Sequence, residues 1–197
     1  MIHRTLRKNN TREESCMEWE FAILDMLQNI QNPVLTKIMA FITMLGEAGW
    51  FWIVLGIVLL CTKKYRKCGV AVLFALILDL ILANIILKPL VARPRPCWIR
   101  KDIELMVRVP KDYSFPSGHT MASFASAGAL LLTEKKFGIG ACVLAILMGI
   151  SRLYFYVHFP TDVLAGTVLG ILCGIAGVYL MKWTENTKFG RIYSDRK

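Results

Sequence analysis

Gly69-Val-Ala-Val-Leu-Phe-Ala-Leu-Ile-Leu-Asp79-Leu-Ile-Leu-Ala-Asn84-Ile-Ile-Leu87 runs for nineteen residues, and only Asp79 and Asn84 interrupt its apolar side chains. A helix that crosses a bilayer needs about 20 such residues at a rise of ~1.5 Å each, so the stretch reads as a transmembrane helix. Positive charge closes both ends: Lys63-Lys-Tyr-Arg-Lys67 comes before it and Lys88-Pro-Leu-Val-Ala-Arg93-Pro-Arg95-Pro96 after it. Asp79 lies mid-span, where an ionisable group is by default a functional suspect. It stands on the order of 13 Å along the helix from Lys88, at ~1.5 Å per residue. A structural hydrogen bond to a neighbouring helix is therefore expected for it.

The rest of the chain repeats this pattern. Of 197 residues 55% are hydrophobic, and the mean hydropathy is +0.49, above the range of a soluble globular domain. The expected fold is all-α: a six-helix transmembrane bundle with an N-terminal interfacial amphipathic helix. That amphipathic segment covers 18–31, with Trp19, Ile23, Met26, Leu27 and Ile30 on one face and Asp25, Gln28 and Asn29 largely opposite. The same residues equally fit the start of the first span. Spans are expected at 32–45 and 50–62, parted by Gly46-Glu47-Ala48-Gly49, then at 69–87, 117–133, 138–156 and 162–182. Trp50 and Trp52 read as an interfacial aromatic anchor. The last span carries Gly166, Gly170, Gly174 and Gly177, a small-residue stripe that lets helix backbones approach closely. Residues 1–17 and 183–197 are expected to be cytoplasmic tails around a membrane domain at 18–182. Met1 to Asn10 is polar and basic and does not read as a cleavable signal.

Charge sets the orientation. Lys and Arg number 24 against 14 Asp and Glu, a net charge of +10. The cations stand at the ends of apolar runs and not on one soluble face, which favours lipid headgroups and phosphate over nucleic acid. The six cysteines have no metal-finger spacing, and neither a zinc site nor a disulfide framework is expected. Six spans put both termini on one side, which gathers fifteen Lys and Arg against seven on the other, all seven between Lys88 and Lys111. The positive-inside rule then makes the termini cytoplasmic. The seven outer cations run against that rule, and an anionic ligand gives them a reason.

Three polar stretches fall together at that outer face: Lys88–Pro96, Tyr113-Ser-Phe-Pro-Ser-Gly-His119, and Ser151-Arg152-Leu-Tyr-Phe-Tyr-Val-His158-Phe-Pro-Thr-Asp162. Pro116 suits the first position of a helix. Ser117, Gly118 and His119 then offer backbone N–H groups at a positive dipole end, where phosphate binds readily. His158 and Asp162 are four residues apart around Pro160. A carboxylate so placed accepts the N–H of one ring nitrogen, fixes the tautomer and leaves the other lone pair free to attack. Two histidines and a carboxylate also make a metal set. Lys88, Arg93, Arg95 and Arg152 would repel a metal cation and attract an anion, and the guanidinium fork suits bidentate phosphate binding. Neither a metal nor a cofactor is expected.

The spacing Lys88-x6-Arg95-Pro96, then Pro116-Ser117-Gly118-His119, then Ser151-Arg152-x5-His158-x3-Asp162 resembles the complete signature of the type 2 phosphatidic acid phosphatase family, over about residues 33–182. The resemblance implies a metal-independent six-helix membrane enzyme. It makes His158 the nucleophile, Asp162 its orienting partner, and His119 the general acid and then base. Lys88, Arg95, Arg152, the Ser117 hydroxyl and the Gly118 N–H would surround the phosphoryl oxygens. The implied reaction is hydrolysis of the terminal phosphate of a lipid phosphate or diphosphate, such as undecaprenyl pyrophosphate, phosphatidylglycerophosphate or phosphatidate, through a phosphohistidine at the outer leaflet. Opposite protonation states of the two histidines predict a bell-shaped dependence of rate on pH. Two rivals use parts of the same inventory: a lipid phosphotransferase passes the group to another acceptor, and a non-enzymatic lipid carrier or scrambler needs the cations but not the paired histidines.

Overall fold

A computed structural model of the chain describes residues 17–187, and among these every regular element is a helix. The expectations for residues 1–16 and 188–197 lie outside the described residues. Helix α1 covers 17–29. It is followed by α2 (Pro33–Leu45), α3 (Trp50–Cys61) and α4 (Arg66–Asp79), the last continuing through a π-helical stretch, Leu80–Leu87, into the short α5 (Lys88–Val91). Then come α6 (Pro96–Ile99), α7 (Gly118–Thr133), α8 (Lys135–Tyr154) and α9 (Pro160–Asn186). Three segments, Lys63–Ile99, α8 and α9, are long and apolar enough to cross a membrane. The pair α2 and α3, bent by 46° at its break, meets the same test as one unit.

The helix ends follow local chemistry. The Asn32 side chain accepts the Leu35 N–H at 2.9 Å and Pro33 opens α2, an N-cap with proline at N1. At the α2–α3 break Ala48 and Gly49 take φ of 51° and 68°. Open space surrounds Gly49, so that glycine is there for its left-handed backbone and not for packing.

Helix α7 stands at the centre, packed on α4, α8 and α9. Fully buried Ala71, Ala75, Ala125, Ala129 and Ala145 line the contacts. The glycine stripe of α9 does what its spacing predicts. A methyl at Gly170 would stand 2.5 Å from the Met121 carbonyl oxygen, one at Gly174 2.7 Å from that of Ala125, and one at Gly177 2.6 Å from that of Ala71. α9 therefore meets α7 and α4 backbone to backbone.

Three expectations need correction. Trp52 is no interfacial anchor: it is 1% exposed and donates to Ser123 Oγ at 3.0 Å, because α3 turns that face onto α7. Trp50 remains on the surface. Asp79 is buried, yet its Oδ1 has no hydrogen-bond partner among the described residues; α9 packs here through glycine and Cys173, which bring no strong donor. Pro116 is not the first residue of α7. Ser117 is still extended, with φ −69° and ψ 105°, and the helix starts at Gly118.

In the α1 segment the expected apolar face looks outward. Trp19, Met26 and Ile30 point outward, while Glu20, Phe21 and Leu24 are buried against the protein. Glu20 therefore packs inward together with apolar Phe21 and Leu24, and the outer apolar face looks away, as a helix bordered by lipid requires.

Candidate active site

The wide π-helical stretch ends on Lys88, the break after α5 carries Arg93 and Arg95, α7 starts with Gly118 and His119, and the last turn of α8 holds Arg152. A buried turn, 155–159, then presents His158 and leads into α9, where Asp162 lies in the first turn. Two backbone bonds lock these pieces together: Ser117 N–H to the Asp162 carbonyl at 3.2 Å, and Ser114 N–H to the Arg93 carbonyl at 2.9 Å. Lys88, Arg95, Gly118, His119, Arg152 and His158 line one cleft of about 410 Å³.

His158 is 1% exposed, and its two nitrogens face different partners. Nε2 lies 2.9 Å from Arg95 Nη1. A guanidinium has no acceptor, so Arg95 donates, Nε2 carries the lone pair and the ring proton sits on Nδ1. That nitrogen points at Ser114 Oγ at 3.4 Å and Asp162 Oδ2 at 3.6 Å. Burial pulls the imidazole down to about 3 against the opposing carboxylate of Asp162, with Arg95 and Arg152 acting in the same sense as burial. The ring is thus neutral at any ordinary pH.

Asp162 is fully buried and tightly held. Oδ2 accepts from the Ser114 hydroxyl and from the Phe159 N–H at 2.9 Å. Oδ1 accepts from Arg93 Nη1 at 2.6 Å. Arg93 is therefore occupied away from the cleft. It also donates to Thr161 Oγ1 at 2.7 Å, pairs with Glu20, and lies 4.0 Å above the Phe159 ring. Of the four cations foreseen around an anion, three line the cleft.

Those three differ in their partners. Lys88 Nζ donates to Asn84 Oδ1 at 2.8 Å and to Asp112 Oδ2. Arg95 donates to Asp112 Oδ1 at 2.8 Å, to its carbonyl at 2.7 Å and to the Val157 carbonyl at 2.8 Å. Asp112 thus spans two cations as a phosphate would. Partial burial pushes its acidity the other way, but the Lys88 bond and the Arg95 charge win and take it down to about 2. Arg152 donates to Thr43, while its buried Nε has no partner among the described residues. An orphaned guanidinium donor in a cationic cleft is suited to an oxyanion.

The α7 residues divide. A Cβ on Gly118 would reach within 3.6 Å of Lys88 Nζ and fill the floor of the cleft. The His119 ring rests against Gly46 and Met148, which sets it at the break between α2 and α3. Ser117 is buried, bonds Thr120 Oγ1 at 2.9 Å and is not among the cleft-lining residues. Sequence reasoning missed Asp112, Ser114, Thr43, Glu47 and Glu20. Only Asp112 and Ser114 carried a signal, as polar neighbours just upstream of Pro116-Ser117-Gly118-His119.

The sequence model of the PAP2 superfamily matches residues 69–186. The chain belongs to the PAP2 superfamily. It is 36% identical over 155 residues, 73% of each chain, to phosphatidylglycerophosphatase B of Bacillus subtilis. It is 34% identical over 141 residues, 71% of this chain and 68% of the relative, to an undecaprenyl-diphosphatase of Sulfolobus acidocaldarius. In structure it matches the transmembrane PAP2 type phosphatidylglycerolphosphate phosphatase from Bacillus subtilis with a TM-score of 0.71 at 28% identity, over 89% of both chains. Every PAP2 signature position of the chain falls in the matched region, and α1 lies before it.

Proposed function

We propose that this PAP2 protein is an integral membrane hydrolase that removes the terminal phosphate of a lipid phosphate or diphosphate through a phosphohistidine on His158, with no metal. The observation that carries the proposal is the His158 ring, neutral and buried, with Nδ1–H toward Asp162 and the Nε2 lone pair toward a cationic cleft. In the first step the phosphoryl oxygens take the donors of Lys88, Arg95 and Arg152 and displace Asp112. Nε2, released by Arg95, attacks phosphorus; the N–P bond forms as the P–O bond to the lipid breaks, and His119, which takes up a proton when the anionic substrate binds beside it, gives that proton to the departing oxygen. In the second step His119 takes a proton from water, the water oxygen attacks phosphorus, and the N–P electrons return to Nε2. Phosphoryl transfer needs mainly positioning and charge stabilisation, which this set provides. The Ser117 hydroxyl enters the cradle only if its bond to Thr120 opens, whereas Gly118 already lines the cleft.

The cleft also favours one substrate class. Arg108 and Lys111 line its mouth without an ion pair among the described residues, and Ala40, Met44, Val107 and Val109 give it an apolar wall. Two spare cations next to the reacting phosphate fit a second phosphate, and the wall fits a lipid tail. The preferred substrate is thus a lipid diphosphate, as undecaprenyl pyrophosphate is. The six-span arrangement follows from the apolar runs and the cytoplasmic termini and outward cleft from the charge distribution, and all three remain part of this proposal. Purified protein in detergent with chelator present should release phosphate from lipid diphosphates and, less efficiently, from phosphatidylglycerophosphate and phosphatidate. Arg108→Ala with Lys111→Ala should raise KM for the diphosphate several-fold more than for a monophosphate. Equal effects on both, or inhibition by chelator, would refute the assignment. Release from an impermeant substrate by intact cells would locate the cleft outside.

A further inference from the structure

Helix α1 precedes the region matched to the family, yet it holds the turn that carries the nucleophile from one side. Glu20 is 3% exposed; its Oε1 accepts from Thr161 N–H at 3.2 Å and Thr161 Oγ1 at 2.6 Å, and its Oε2 pairs with Arg93. Phe21 packs edge-on to Phe159, with centroids 5.4 Å apart, and stacks on Tyr156 at 6.2 Å. Asp25 accepts the Tyr156 hydroxyl at 2.7 Å and pairs with Arg100 at 2.9 Å. Just beyond, Gln28 and Gln31 donate to the Tyr154 carbonyl at 3.0 and 2.9 Å.

Two features make this grip more than packing. Tyr156 is held at φ 58°, a left-handed conformation that a bulky residue keeps only where its surroundings enforce it. Two of the side chains that hold it, Phe21 and Asp25, belong to α1. Secondly, Arg93 is clamped between two buried carboxylates, Glu20 and Asp162. A buried ion pair adds little stability compared with apolar side chains of the same volume, so stability is a weak reason for placing Glu20 there. A planar guanidinium held on both sides fixes direction, and the direction it fixes is that of Asp162 Oδ1, which leaves Oδ2 aimed at Ser114 and His158.

We propose that α1 is part of the catalytic apparatus and that Glu20, acting through Arg93, is a positioning residue for the Asp162 and His158 pair. The proposal rests on the phosphohistidine reading given above. Its consequence is that the α1 segment sets the rate of the chemical step without touching the substrate.

The test uses the full chain in detergent and compares Glu20→Gln, Arg93→Met, Arg93→Lys and the Glu20→Gln, Arg93→Met double variant with the wild type. Glu20→Gln is isosteric and keeps an acceptor for Thr161 while losing the charge on Arg93. It should lower kcat by roughly 10- to 100-fold, the range for loss of a group that orients a reactive ligand. KM and the inhibition constant of inorganic phosphate should stay within about twofold, since the cradle is untouched. The double variant should be no slower than Arg93→Met alone, because both changes break one chain of contacts, and Arg93→Lys should recover part of the rate. Wild-type kcat in Glu20→Gln, multiplicative losses in the double variant, or a loss confined to KM would overturn the proposal. If Glu20→Gln does not yield folded protein, Arg93→Lys decides by the same split between kcat and KM. An active wild type, an inactive His158→Ala and an unimpaired Glu20→Gln would sink this inference alone, whereas an active His158→Ala would sink the reading beneath it.

Discussion

Asp112 holds the place of a substrate. Its carboxylate ties Lys88 to Arg95 from a half-exposed position, so an incoming phosphate competes with a resident anion for the same donors. Asp112→Asn keeps the shape and removes the competing charge. Inorganic phosphate should then inhibit about fivefold more tightly, the equivalent of the ~1 kcal/mol of a partly exposed ion pair; unchanged or weaker inhibition would mean that Asp112 orders the two cations more than it masks them. The state of His158 is open to direct measurement too. Its free-enzyme value of about 3 lies below that of an ordinary imidazole. The proton is therefore absent in the folded protein across the window from about pH 6.5 down to 3, where the unfolded chain would bind it, and folding loses stability as pH falls through that window. Nitrogen NMR should show one histidine, identified by its absence in His158→Asn, in the neutral Nδ1–H form from pH 5 to 8. A histidine at that position titrating near 6.5 would contradict the assignment. The sequence exposed the pairing of His158 with Asp162 because an i, i+4 spacing is local. It gave Asp112 only the signal of a polar residue upstream of Pro116, because its two partners lie 24 and 17 residues away along an irregular connection with no period to read.

Among the elements, the α7–α9 contact holds His119 and Asp162 in register. Met121 and Ala125, whose carbonyls the α9 glycines meet, lie on the same helix as His119, and Asp162 opens the helix that bears those glycines. Gly170→Ala drives a methyl to 2.5 Å from a backbone oxygen, and overpacking of this kind typically destabilises by about 1–3 kcal/mol. A lowered midpoint for thermal unfolding in detergent should follow, with activity at low temperature lost only as far as the α7–α9 spacing changes; an unaltered midpoint would show that the helices part at no cost. Helix positions were legible because lipid demands long apolar runs and because Gly46-Glu47-Ala48-Gly49 breaks one of them where the α2–α3 bend occurs. Side-chain direction was less legible. Trp52 was misjudged because, beside a membrane, apolar residues serve equally as outer surface and as core, so the periodicity gives a face without saying which way it looks.

At the scale of the molecule, charge and apolarity divide the labour. The bundle buries small residues so that its helices close up, and leaves large apolar ones such as Ile57, Leu80, Val143 and Leu172 on the outside, where a bilayer covers them. Apart from Asp79, the buried ionisable groups gather at one end, where five segments of the chain line a single cleft. That convergence was foreseeable from three motifs falling on one side of a six-span plan. The contribution of α1 was not, because a lone Glu20 between Trp19 and Phe21 signals nothing without coordinates. The central claim is that the neutral Nε2 of His158 takes the phosphoryl group. Wild-type protein turning over a radiolabelled lipid phosphate, quenched under alkaline denaturing conditions that preserve phosphohistidine, should carry label on His158, and His158→Ala should carry none and release no phosphate. An unlabelled wild type together with continued hydrolysis by His158→Ala would contradict the account.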